Sequence, residues 1–159
     1  MKATAPIRIL EGQAASEHTQ KALRAYFSEL NNRIDGGFDP SLTEVTTPAD
    51  TTPPRGDFFL MSDLVSGEVI ACGAVRKLDD STVELRRIWV APEHRGKGHA
   101  RTLVRALENK VRSFGAHRAV VSLNKEMTEG IAMFRKRGYE PAPPFHENTT
   151  ATVFLAREL

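Results

Sequence analysis

The stretch from Thr82 to Gly115 restricts the fold more than any other part of the chain. Val83 and Leu85 alternate with Glu84 and Arg86 at strand spacing; then Arg87 breaks the phase, and Ile88 and Val90 take the opposite parity. A bulge near Arg86-Arg87 accounts for the shift, an edge-like strand with imperfect alternation being the plainer alternative. The strand stops at Val90 and a turn rich in glycine and basic residues follows. Ala100, Leu103, Val104, Leu107, Val111 and Phe114 then recur at helical spacing up to Gly115, a C-terminal cap. A strand that passes through a tight turn into an amphipathic helix belongs to a mixed α/β domain.

The flanking segments extend that pattern. Ile7 to Leu10 reads as a short strand, and Ser16 caps a helix reaching about Arg33, with Leu23, Phe27, Leu30 and Ile34 on one buried face and Tyr26 beside them. Asp35 to Gly56 loses all periodicity and is punctuated by Gly36-Gly37, Pro40, Pro48, Pro53 and Pro54. A loop of that length is either a ligand-facing lid or a passive connection, with a short helix around Leu42–Val45. Asp57 to Asp63 and Glu68 to Lys77 form a hairpin turning at Ser66-Gly67. Ala119 to Leu123 is a buried strand, Thr128 to Arg137 a short helix stopped by Gly138, Tyr139-Glu140 the start of another strand, and Thr152 to Arg157 a last one. No repeat or linker divides the 159 residues, and one domain is expected.

Charge narrows the function classes. The formal net charge is +2, which disfavours a chain-wide nucleic-acid binder, but Arg86 to Arg118 holds nine Lys or Arg against Glu93 and Glu108, so that window carries +7 and the remainder −5. A local basic field suits a compact anion. It also lacks the aromatic platform that single-stranded nucleic acids stack on. No apolar run has the ~18–20 residues of a membrane span, and the N-terminus shows no apolar core of a signal peptide, so a cytoplasmic location is expected. Cys72 is the sole cysteine and sits among apolar residues, as a small core side chain in a reducing compartment. The five histidines are scattered without ligand spacing, and no metal is expected.

Val90-Ala91-Pro92-Glu93-His94-Arg95-Gly96-Lys97-Gly98-His99-Ala100-Arg101 carries the chemistry. A helix start offers unpaired N–H groups and the positive end of the helix dipole, and glycines let those groups approach a phosphate. The Walker pattern is absent, and a dinucleotide fingerprint would need glycine where Arg101 stands. A plain strand–turn–helix is the alternative.

The pattern Arg-x-x-Gly-x-Ala (Arg95, Gly98, Ala100) after Val90-x-Pro92 resembles the acyl-CoA pyrophosphate loop of the GCN5-related N-acetyltransferases. The resemblance extends over nearly the full chain through Glu84-Leu85-Arg86-Arg87-Ile88-Trp89-Val90, Thr128 to Tyr139, Pro143-Pro144-Phe145 and Asn148. It implies a mostly antiparallel, six- to seven-stranded α/β (α+β mixed) sheet, splayed between strands 4 and 5 and flanked by about four helices. It further implies that acetyl-CoA is the co-substrate. Ile88, Trp89 and Val90 would hold its pantetheine arm; Arg95, Gly96, Lys97, Gly98, His99, Ala100 and Arg101 its pyrophosphate; Asn124 and Phe134 would lie near it. A primary amine of a small molecule or peptide would attack the thioester directly, with an amide near 88–90 polarising the carbonyl and Glu84 as base, either directly or through water.

For Glu84 the alternative is an exposed strand glutamate paired with Arg86 or a cross-strand lysine. Where the family often has a tyrosine acid this chain has Phe134, and the family's asparagine before that helix falls on Met127. Phenylalanine donates no proton, so a non-catalytic acyl-CoA binding or regulatory module is the second reading. Tyr139 reads as a core aromatic, and His94 and His99 as solvated histidines or phosphate contacts. His146 lies in an irregular late segment where it can line the acceptor pocket. Tyr26, Phe27, Arg33 and Asp35 are further candidates for that pocket, core packing being the alternative for the aromatics. Glu29, Asp35, Asp39, Glu44 and Asp50 would favour a cationic acceptor, whereas Arg86-Arg87 would favour an acidic one. The resemblance allows a homodimer, for which no sequence feature argues.

Overall fold

The computed structural model describes residues 6–39, 48–146 and 151–159. Seven strands, β1 (Ile7–Leu10), β2 (Gly56–Asp63), β3 (Val69–Lys77), β4 (Thr82–Val90), β5 (Arg118–Leu123), β6 (Glu140–Pro141) and β7 (Val153–Glu158), form one sheet in the order β1-β2-β3-β4-β5-β7-β6. Neighbouring strands run antiparallel except β4 and β5, which are parallel. Three α-helices are described rather than about four: α1 (Glu17–Arg33), α2 (His99–Ser113) and α3 (Thr128–Lys136). Pro48–Thr51 and Pro92–His94 are single 3-10 turns. The helix expected around Leu42–Val45, together with Glu44, Glu147 and Asn148, lies outside the described residues. No described helix is long and apolar enough to cross a membrane.

The phase break in β4 is a bulge. Cys72 faces Trp89 and Ala74 faces Arg86, so Gly73 alone stands opposite Arg87 and Ile88. Arg87 takes φ 55°, a left-handed conformation uncommon outside glycine. Gly73 makes the bulge compatible with helix packing: a Cβ there would lie 3.0 Å from Leu107 Cδ1 and 3.2 Å from Leu103 Cδ2. The apolar stripe of α2 therefore rests on β3 at the bulge, with Leu103, Val104, Leu107 and Val111 all buried.

α1 begins as expected, the Ser16 hydroxyl accepting from the His18 amide at 3.2 Å. Its apolar face is only partly covered. Ala22 and Leu30 are buried, but Leu23, Tyr26, Phe27 and Ile34 are half-buried. The helix covers β3 and β4 with one flank and leaves the other beside an open cleft.

Candidate active site

β4 and β5 are in register only at Thr82–Arg118, Val83–Ala119 and Glu84–Val120. Past Glu84 they separate, β4 staying with β3 and β5 with β7. The gap opens into a cleft of about 1040 Å³ walled by α1, the turn after β4, the start of α2 and α3. Ile88, Trp89 and Val90 line it, on the part of β4 that has no strand partner on that side.

One end of the cleft is the basic turn. Arg95, Gly96, Gly98, His99, Ala100 and Arg101 line it, whereas Lys97 points away into solvent. Gly96 and Gly98 have φ 77° and 81°, which side-chain-bearing residues rarely adopt. The Thr102 amide makes its bond to Gly98 O at 3.1 Å, so the amides of His99, Ala100 and Arg101 precede the helical ladder. These residues fit a pyrophosphate: unpaired amides, a helix dipole and, at Gly96 and Gly98, a backbone bare of Cβ atoms. Arg95 is held in place beforehand, its Nε donating to Val90 O at 2.9 Å and its guanidinium pairing with Glu29 of α1 at 2.5 Å. His99 is not solvated: its side chain is buried, and burial with His94 and Lys97 nearby pulls its imidazole below the usual range. His94 sits 3.5 Å from Glu68. Glu68, Glu93 and His94 bring ligand-capable atoms within 4.8 Å of one another, with both carboxylates exposed.

Glu84 lies where the strands part. It is 2% exposed, not the surface glutamate of the alternative reading. Oε1 is 3.1 Å from an Arg76 guanidinium nitrogen and 3.5 Å from one of Arg86. Oε2 faces His146 Nε2 at 3.5 Å, and that nitrogen is 2.9 Å from Ser122 Oγ on β5. The His146 side chain is 7% exposed, and its Nδ1 is buried with no partner among the described residues. His146 is wedged edge-on against Phe145 and Phe154. The resemblance placed Glu84 near the splay, whereas Arg76 comes into the site through its register with Glu84 and Ser122 through its contact with His146.

Phe134 of α3 is buried, lines the cleft and packs edge-on against Tyr139 with ring centroids 5.0 Å apart. Tyr139 is core, as its setting suggested: its hydroxyl donates to Glu108 at 2.8 Å, and burial pushes its pKa well up. Asn124 lines the cleft at the end of β5 and its side chain accepts from the Glu126 amide at 2.9 Å. Cys72 is fully buried; burial raises its thiol to about 12, against the opposing charge of Arg87, so it is no nucleophile.

On the acceptor side Tyr26, Glu29, Arg33 and Phe38 line the cleft, but Phe27 and Asp35 do not. Phe27 is wedged between Tyr26 and Phe38, 5.6 Å from each ring. The Asp35 amide donates to Glu126. Arg33 pairs with Glu129 of α3, so α1 is tied both to that helix and, through Glu29 and Arg95, to the turn.

The family model for the acetyltransferase (GNAT) family matches residues 19–139. The uncharacterized N-acetyltransferase YobR of Bacillus subtilis is 34% identical over 94 residues, 59% of this chain and 37% of that protein. The IAA acetyltransferase of Azospirillum brasilense is 30% identical over 81 residues, 50% of this chain and 53% of that protein. The chain thus matches about half or less of the length of these curated relatives. A GNAT family acetyltransferase from Elizabethkingia anophelis, solved with acetyl-CoA bound, shares the fold with a TM-score of 0.64 at 18% identity, covering 96% of this chain and 98% of that one.

Proposed function

The chain belongs to the acetyltransferase (GNAT) family, and from that membership we propose that it moves an acetyl group from acetyl-CoA to a primary amine. The observation that carries the reading is a single cleft with a phosphate-fitting turn at one end and a buried Glu84–His146 pair at the other. Acetyl-CoA supplies a thioester whose acyl carbon an amine attacks. The amides of Gly96 to Arg101 hold the pyrophosphate, the free edge of β4 at Ile88, Trp89 and Val90 takes the pantetheine arm, and Asn124 and Phe134 flank it. An amide on that edge polarises the carbonyl as negative charge develops on its oxygen.

The amine must lose a proton to attack. Arg76 and Arg86 occupy Glu84 Oε1, which leaves Oε2 and the imidazole beside it as the proton-accepting unit. Phe134, which stands where the family often has a tyrosine, and Tyr139, committed to Glu108, offer the departing sulfur no proton donor. An alkyl thiol with a pKa of ~8.5 leaves as the thiolate without one. The inert Cys72 supports direct attack over an acyl-enzyme.

A thermal melt with and without acetyl-CoA tests the cofactor half. At a hundredfold excess over Kd the native state gains about 2.7 kcal/mol, roughly 5–11 °C for a chain of this size. Gly96→Glu/Gly98→Glu puts side chains on two left-handed glycines and negative charge against the pyrophosphate, so the increment disappears. An unchanged increment in that variant refutes the turn as the phosphate site. Acetyl-CoA binding without free CoA from any amine would favour the non-catalytic binding module.

A further inference from the structure

Arg87 stands at an unusual backbone position on the cleft wall. It is the bulge residue of β4 and the one non-glycine residue with positive φ among those described. A bulge re-aims a side chain, and strain of this kind concentrates where side-chain position matters. The side chain turns to the α1 side, where its guanidinium lies 5.0 Å from the centre of the Phe27 ring, and the residue is part of the cleft wall. Burial pulls its pKa below the usual range.

The other arginines of the cleft that are not exposed have carboxylate partners. Arg33 pairs with Glu129, Arg86 with Glu84, and Arg137 and Arg157 with Glu108. Arg87 has none within 4 Å among the described residues: its ring contact is Phe27, and the Glu84 carboxylate acts on it only from beyond ion-pair distance. A partly buried cation without a carboxylate in contact is costly, and a cation–π contact offsets part of that cost. A second donor is orphaned on the same strand: Trp89 Nε1 is buried, has no partner among the described residues, and its residue lines the same cleft. Two unpartnered donors call for an acceptor, and the forked guanidinium matches a carboxylate.

We propose that Arg87 binds a carboxylate of the acceptor, so that the amine acetylated here belongs to an amino acid or another amine that carries an acid group. This rests on the acetyl-transfer reading above and names its substrate class. It decides between the two charges present on the acceptor side: Glu29 is already engaged by Arg95 and Arg33, whereas Arg87 is not.

The test compares acids with their own amides. α-Amino acids of several side-chain types, β-alanine and 4-aminobutyrate, each beside its carboxamide, are assayed for free CoA with acetyl-CoA present. The wild type should favour acids roughly 10- to 100-fold in kcat/KM, the span of one charge-assisted contact. Arg87→Gln should bring the ratio near one, and Arg87→Lys, which keeps charge but not the fork, should fall between. The acid-to-amide ratio of the wild type stands alone if either variant misfolds. A second arm needs no turnover: the fluorescence of Trp89, the sole tryptophan, is titrated with the same pairs in the presence of CoA. Acids should saturate a signal that weakens at least about tenfold in Arg87→Gln. Amides acetylated as well as acids, or a ratio indifferent to Arg87, overturns the proposal and leaves acetyl transfer standing. Arg87-dependent binding of acids with no acetylated product overturns acetyl transfer and leaves the carboxylate site. Neither binding nor turnover of any acid overturns the proposal outright.

Discussion

Glu84→Gln should lower kcat by roughly 10²- to 10⁴-fold, the usual worth of a positioned proton acceptor, while the stabilisation by acetyl-CoA survives. The substitution keeps the shape and one acceptor for Arg76 and removes the charge. It cannot take a proton from an ammonium group, and it no longer sets a negative charge beside His146, 3.5 Å away. His146→Gln should cost about as much, and the double variant little more than either single one, because the two residues serve one proton transfer. The loss should shrink as pH approaches the pKa of the amine, ~10.4 for a lysine-like group, where the substrate arrives already neutral. A merely structural Glu84 would give a loss that does not recover with pH. Loss of the acetyl-CoA increment in the melt would mean that the variant damages the cleft itself, and would remove the ground for calling Glu84 the base.

What the sequence made legible follows the range of the interactions. The glycine turn, the amphipathic α2 and the bulge are local: Gly96 and Gly98 mark left-handed backbone, and the parity change from Leu85 to Ile88 marks the extra residue opposite Gly73. The splay beside Glu84 came from the resemblance alone, since nothing within β4 or β5 says where parallel pairing stops. Arg76 reaches Glu84 through register between strands and Ser122 meets His146 of the segment before β7, and no spacing in one segment announces either. Arg87 was visible only as a broken alternation, and its lack of a counter-charge depends on where every other carboxylate went. Leu23, Phe27, Leu30 and Ile34, with Tyr26 beside them, read as one buried face because their spacing is helical. The structure instead puts Tyr26, Leu30 and Ile34 on the cleft wall and packs Phe27 between Tyr26 and Phe38.

The buried acid on α2 had a local sign that went unused. Glu108 stands four residues after Val104 and one after Leu107, inside the apolar stripe, and it is 1% exposed. Its carboxylate accepts from Arg137, from the Tyr139 hydroxyl at 2.8 Å and from Arg157 at 3.0 Å, joining α2 to the end of α3 and to β7 beneath the cleft. Removing one member leaves the others buried and unmatched, which costs about 3–5 kcal/mol for buried ion pairs. The lower end applies here because the Arg137 and Arg157 side chains keep 17% and 31% of their exposure and can rehydrate in part. Glu108→Ala should therefore lower the melting midpoint by roughly 6–12 °C at neutral pH. Glu140→Ala, which breaks the exposed pair with Arg135, should leave it within error. Burial alone would raise the Glu108 carboxyl, but the bonds from Arg137 and Tyr139 and the two guanidinium charges outweigh it and hold it below the usual range. With its folded-state pKa depressed, its contribution is complete above the ordinary carboxylate pKa and disappears as pH falls through the lower folded value. The gap between wild type and Glu108→Ala should accordingly narrow in acid. A gap that stays constant down to that range would show that Glu108 stabilises by packing rather than by charge.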